Sequence, residues 1–501
     1  MIGLTQENLD TIGFTFLLNK LDTLTPFGKE LKNNLRRFSP SEKELLITEL
    51  SNIGCLCSSI QKNSSIHKKI DYILPKLRDI RRSLLNLQET KILDEVEIFE
   101  LKKFAMDFED FSSKVQSLHL SLPEMDFTSF KQVISLLDPN QTNIPTFYLY
   151  DSYSDSLQKI RERKRSLETK IFQTQDSELI KQLKEERLDV VILEREEELN
   201  VKKSLSFQLR QYTTLYLDNI TKLGLFDFWI SKAKLALEFG GVKPQISSNQ
   251  GIKIKRSINP YVQSILNQSE KQFTPISIDL DLGVTIITGA NMGGKTVSLQ
   301  TLFLNVLLAH YGFFVFAKSV QIPLFDNLYF VSDDMQDVSA GLSTFGAEII
   351  TVNQIISSLP KKFSFIVMDE FARGTNPSEG TILIKALTQY LNSQNAISLI
   401  TTHYEGISNK KFAHYQVMGL KNVDFLSLKH KIDLQSSQKY TSIQIIQEHM
   451  DYRLERVQHD SIVPKDALNI AILLGLTDNI VKYAKNQYNQ MEKNDQYDNS
   501  E

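Results

Sequence analysis

The chain has 501 residues, too many for one ordinary hydrophobic core, so about two to four domains are expected. At 41% hydrophobic and 23% charged residues it has the composition of a soluble globular protein. A net charge of −3 excludes a global positive field, so any nucleic acid would have to meet a local basic face. The only cysteines, Cys55 and Cys57 in "GCLCSS", lack matching histidines and read as buried thiols of a reducing compartment. The start, "MIGLTQENLD", shows no signal peptide, and the apolar run Leu302–Ala317 is too short for a bilayer. A cytoplasmic protein with no membrane contact is expected.

Residues 1–145 read as helices, broken at "LTPFGKE", "FSPSEKE", "SLPEMD" and "DPNQTNIP". From Thr146 to Leu223 there is neither glycine nor proline, and the tract is heavily charged. Apolar residues at Leu157, Ile160, Leu167 and Ile171, then Leu179, Leu183, Leu188 and Val191, predict a narrow seam on long helices. A turn near "QTQDSE" would make the tract an antiparallel helical arm; one unbroken helix is the alternative. Residues 216–250 return to a packed helical pattern closed by Gly240 and Gly241.

From Gly251 the texture changes. "IKIKRSI", "ISIDLDL", "VTIITG", "FFVFA", "NLYFV", "FSFIVMDE" and "AISLITTH" are short β-rich runs separated by helical segments. That alternation predicts an α/β domain with a largely parallel sheet, ending near residue 410. Beyond it, Pro464, Gly475 and Thr477 punctuate two short helices, and the tail "NQMEKNDQYDNSE" is too polar to pack.

One motif carries chemistry directly. Gly289-Ala290-Asn291-Met292-Gly293-Gly294-Lys295-Thr296 satisfies G-x-x-x-x-G-K-[ST] between a strand and a helix. Such glycines let backbone N–H groups converge on phosphate at a helix N-terminus. Lys295 would reach the β- and γ-phosphates of ATP, and Thr296 would ligate Mg²⁺. "FSFIVMDE" delivers Asp369 and Glu370 to the carboxyl end of a buried strand, where open α/β sheets place ligands. Asp369 suits a Mg²⁺ role, and Glu370 suits a base orienting water toward the γ-phosphate. His403, at the end of "SLITTH", suits a γ-phosphate sensor.

These residues carry a family resemblance. "TGANMGGKT" resembles the TGPNMGGKS of MutS proteins, with Ala290 and Thr296 in place of proline and serine. "AGLSTFGAE" resembles their signature loop, "MDEFARGTNPSEG" their Walker B segment, and "TTHYEGI" their histidine switch. The resemblance implies a multidomain α and α/β protein: a helical lever and arm, then a P-loop ABC-type ATPase with C-terminal dimerisation helices. Mapped onto this sequence, it implies lever 1–150, arm 151–215 as a reduced clamp, and returning lever helices 216–250. The ATPase would then take 251–410, the C-terminal extension with its dimerisation helices 411–488, and the tail 489–501. It further implies a homodimer hydrolysing ATP to ADP and phosphate, with Ser343 contacting the γ-phosphate bound by the other subunit. Asn291 and Met292 would line the nucleotide pocket. Phe273 occupies the place of an adenine-stacking aromatic, and a core phenylalanine is the other reading.

The resemblance is nearest to the short branch that often carries an Smr nuclease, and here the expectation is a chain without that nuclease. None of the 29 phenylalanines is followed two positions later by glutamate, so the F-x-E motif of mismatch reading is absent. A chain without a mismatch-reading domain is therefore expected. Two clients follow. DNA would be held by shape, with "KIRERKR" (159–165) and Arg78, Arg81 and Arg82 on phosphates, unless these arginines and lysines pair with glutamates. The alternative is a protein or ribosome client, such as a cobalamin-dependent aminomutase.

Overall fold

The computed structural model describes residues 4–123, 125–144, 148–289, 293–332, 344–359, 362–404, 407, 412–420, 423–435, 445–457 and 466–487. It is mixed helical and α/β, and it divides into two compact units. One comprises residues 1–20, 36–50 and 235–501; the other comprises 21–35 and 51–234.

The second unit is helical. Its core is aromatic because the helix Glu95–Gln116 places Phe104, Phe108 and Phe111 at spacings of four and three, on one face. Those rings meet Phe127, Phe130, Tyr216 and Phe226, mostly edge to face. Asp94 caps this helix and Glu97 answers it, forming a capping box. Deeper in the unit, buried Asp227 accepts from Leu24 N, Thr25 N and Thr25 Oγ1, which fixes the start of the helix Pro26–Asn33. Gly28 is required there, since a Cβ would lie 2.2 Å from Asp227 Oδ2.

The charged tract folds back on itself. Its helices are Asp155–Gln173 and Ser177–Arg210, and Asp176 caps the second by accepting from Glu178 N and Leu179 N. On the first helix Leu157 and Leu167 are buried as the spacing predicts. On the second the predicted seam holds in part: Leu183 and Val191 are half-buried, Leu179 and Leu188 are exposed, and Val190, Glu194 and Val201 are buried. The reason is electrostatic. Arg161 is buried and needs anions, so the second helix turns Glu194 inward to meet it.

The first unit holds two sheets. Strands are β1 Gln245–Ile246, β2 Ile252–Ser257, β3 Ile276–Leu280, β4 Gly283–Thr288, β5 Ser319–Ile322, β6 Asn327–Val331, β7 Ser364–Met368, β8 Ala396–Thr401, β9 Ala413–Gly419 and β10 Asp451–Arg456. The smaller sheet has the order β1-β5-β2-β3. The larger has the order β10-β9-β4-β8-β7-β6, parallel throughout except for β10. Strands β4, β7 and β8 are buried at every residue, as a sheet covered on both faces demands. "FFVFA" does not form a strand: within it only Val315 bridges, to Val242, while Phe316 N donates to the side chain of Asn305. Among the described helices none is long and apolar enough to cross a membrane.

The helix Lys295–His310 is buried nearly all round. At its end His310 donates from Nδ1 to Val306 O and accepts at Nε2 from Phe325 N, so the ring is neutral. Burial holds its pKa down at about 4. Because that value lies below the unfolded one, the neutral ring stabilises the fold above about pH 6.5, and the gain is lost as pH falls toward 4. About 3 kcal/mol is at stake. Hydrogen exchange in this helix should therefore accelerate between pH 7 and pH 4.5, after correction for intrinsic rates, and His310→Gln should remove that extra pH dependence.

Candidate functional site

The site is built where β4 and β7 end. After β4, Gly289 takes φ +145°, and a Cβ there would stand 3.0 Å from Val417 Cβ. Gly294 takes φ +85° as the N-cap of the helix Lys295–His310, with the Tyr452 ring 3.0 Å from where its Cβ would be. A side chain at either end of the turn would be strained by the positive φ and closely met by its neighbour. Ala290, Asn291 and Met292 lie outside the described residues, as does Ser343.

Lys295 is 4% exposed and donates from Nζ to Gly289 O at 2.9 Å. The same Nζ is 3.4 Å from Glu370 Oε1. The turn after β4 and the strand end after β7 are joined by this contact. Glu370 Oε2 also accepts from Arg373, at 3.2 Å.

Asp369 is buried, and its backbone N donates to Val331 O. Thr401, the last residue of β8, donates from Oγ1 to Asp369 Oδ1 at 2.6 Å and accepts from Glu370 N at 3.0 Å. One hydroxyl thereby orients both acidic residues. Burial raises the Asp369 pKa; hydrogen bonds from Thr401 and Thr296 oppose the rise, nearby Glu370 adds to it, and Lys295 opposes it. A desolvated carboxylate next to the Thr296 hydroxyl is a partial oxygen donor set, and a divalent cation would relieve its burial. Among the described residues no group of three His, Cys, Asp or Glu could hold a metal alone.

His403 lies two residues past β8, exposed, with its ring tilted on Tyr404 at 4.2 Å between centroids. Phe273 is half-buried and lines a cavity of about 770 Å³ that also touches Gly294 and Ser298. Its other wall includes Tyr452, and Lys271 donates across to Gln447 at 3.0 Å. Sequence reasoning missed Tyr452, Gln447 and Lys271. No motif marks them; Gln447 and Tyr452 lie far along the chain from the glycine turn, and Lys271 lies two residues before Phe273.

Residues 285–492 match the family model of MutS domain V. That segment belongs to the MutS family. It is 26% identical over 398 residues to the DNA mismatch repair protein MutS of Thermodesulfovibrio yellowstonii, covering 76% of this chain and 44% of that protein. It is 32% identical over 224 residues to the Endonuclease MutS2 of Alkaliphilus metalliredigens, covering 44% of this chain and 28% of the other. With the Endonuclease MutS2 of Acetivibrio thermocellus the identity is 26% over 377 residues, covering 73% and 43%. The chain spans less than half the length of these relatives.

The basic groups of the helical unit are a separate matter. Arg161 is bound to Asp151, Glu194 and Glu198, and burial of the guanidinium is outweighed by these carboxylates, which raise its pKa. Arg163 pairs with Glu186, Lys164 with Glu194, and Arg165 with Asp151. Residues 151–215 hold thirteen Lys or Arg and thirteen Asp or Glu, a net charge of zero. Arg81 is likewise engaged, by Asp79 and Glu30, while Arg78 and Arg82 are exposed. Most of the basic groups proposed for phosphates are thus already paired within the fold.

Proposed function

We propose that this chain is an ATP-binding and ATP-hydrolysing motor that works as a homodimer. The observation that carries the reading is the meeting of Lys295, Glu370, Asp369 and Thr401 at the strand ends beside the glycine turn. In this reading the backbone of residues 289–294 cradles the phosphates, and Lys295 exchanges Glu370 for phosphate oxygens. Thr296 and Asp369 hold Mg²⁺, which when bound supplies positive charge to the phosphates. Glu370 takes up the proton of the attacking water, and His403 senses the γ-phosphate. Phe273 and Tyr452, both lining the adjoining cavity, are suited to stack on the base. Ser343 would complete the site of the other subunit, and residues 464–488 would join the two.

The client is the second half of the proposal. A relative named for DNA mismatch repair supports DNA as the client; our reading is that it is bound by shape rather than by mismatch sequence. The neutral, internally paired arm favours a protein or ribosome client, because charge already spent on glutamates releases few counterions from a phosphate backbone.

Three measurements test this. Lys295→Ala should abolish ATP binding, and Glu370→Gln should keep binding while stopping turnover. Equal loss of affinity in both, by fluorescent-analogue titration, would argue against separate roles.

Mixing Ser343→Ala with Lys295→Ala subunits should restore about one working site per heterodimer, since each damages a different face. ATPase activity at background in the mixture refutes the composite site.

Competition binding at two salt concentrations should show equal affinity for homoduplex and G·T-mismatched DNA, with steep salt dependence and a preference for a four-way junction. Arg163→Gln with Arg165→Gln should leave that affinity unchanged. A preference for the mismatch sinks the shape reading, and absence of binding to all three DNAs selects the protein client.

A further inference from the structure

The two oxygens of Glu370 are divided between two cations. Oε1 faces buried Lys295 at 3.4 Å, and Oε2 faces Arg373, which is 55% exposed and reaches in from the solvent side at 3.2 Å. Arg373 arrives there because the chain turns sharply after β7. Glu370 has φ +48° and Ala372 has φ +64°, two left-handed residues within three positions and neither a glycine. Such a backbone is costly and persists only where its surroundings over-determine it.

Those surroundings are visible. Buried Glu348 accepts from Ala372 N at 3.1 Å, and Tyr404 Oη donates to Ala372 O at 2.8 Å. Gly380 leaves room for that hydroxyl, since a Cβ there would come within 2.4 Å of it. Arg373 N closes the turn on Glu370 O at 3.2 Å. An ordinary exposed ion pair needs none of this, and is worth little by itself. The strained turn has a consequence for geometry: it returns a guanidinium to the residue that begins it.

We propose that Arg373 is a positioning residue for Glu370, holding Oε2 after Lys295 has left Oε1 for phosphate. The inference rests on the hydrolytic reading above and extends it. The oxygen released by Lys295 faces the phosphate side and is the one that accepts from water. The oxygen kept by Arg373 fixes the direction of the carboxylate. Without Arg373, Glu370 stays in the site but loses its aim at the moment Lys295 departs. Misplacement of a reacting group, rather than weaker binding, is the expected fault.

The test is a double-mutant cycle on the full chain, with single-turnover ATP hydrolysis and fluorescent-ATP titration. Arg373→Ala should slow hydrolysis about tenfold and leave ATP affinity within about twofold of wild type. Arg373→Lys should recover part of the rate. In the slow residual single-turnover hydrolysis of a Glu370→Gln background, Arg373→Ala should cost nothing further, because the group it positions is already gone. Equal losses in both backgrounds, or Arg373→Ala at the wild-type rate, overturn the inference while leaving the ATPase reading intact. A wild-type chain that binds ATP without hydrolysing it overturns the hydrolytic reading, and this inference with it.

Discussion

A buried ammonium needs an anion, and the α/β unit is organised around that need. Lys295 starts a helix that is enclosed on nearly every side, so its charge cannot be left to water. Among its partners here are a backbone carbonyl and Glu370. These two are of a kind that phosphate oxygens could replace, with more charge and better geometry. The carbonyl and the carboxylate thus hold the ammonium in the direction from which a phosphate would be met. Strands β4 and β7 must be buried and parallel-aligned in the sheet for these groups to meet at all.

The helical unit resolves its charges in the opposite way. Arg161 is as deeply buried as a functional cation, yet three carboxylates and the carbonyl of Leu149 surround it. A ligand would have to displace all of them at once, buried Glu194 and the partly exposed Asp151 and Glu198 together. The same logic separates a binding cation from a structural one. Lys295 has exchangeable partners beside a cavity, and Arg161 has a closed shell that pins the fold-back of the arm. Thr401 ties the end of β7 in a comparable way, its one hydroxyl donating to the Asp369 carboxylate and accepting from the Glu370 backbone N.

Much of this is legible in the order of the residues alone. The strand–glycine-turn–helix order, the apolar run ending in two acids and the threonine-histidine strand end all appear where local pattern predicts. The failures have specific causes. "FFVFA" reads as a strand because its residues are β-prone, but Asn305 takes the hydrogen bond of Phe316 that a strand neighbour would have taken. The arm seam reads from Leu179 and Leu188 because apolar spacing is blind to a buried arginine, whose need for Glu194 rotates the helix.

What the sequence determined by itself is the local set of groups: a glycine-rich turn between a strand and a helix, one lysine beside it, and two acids on a buried strand. Those constraints are local, so they are written in contiguous residues. Only the tertiary structure decided which groups face each other. It brought Tyr452 against Gly294, divided the oxygens of Glu370 between Lys295 and Arg373, and paired the basic residues of the arm with acids from the opposing helix. Such pairings depend on sheet order, helix rotation and the handedness of a turn. None of these is fixed by spacing along the chain, because residues far apart in sequence meet only after the layers have packed.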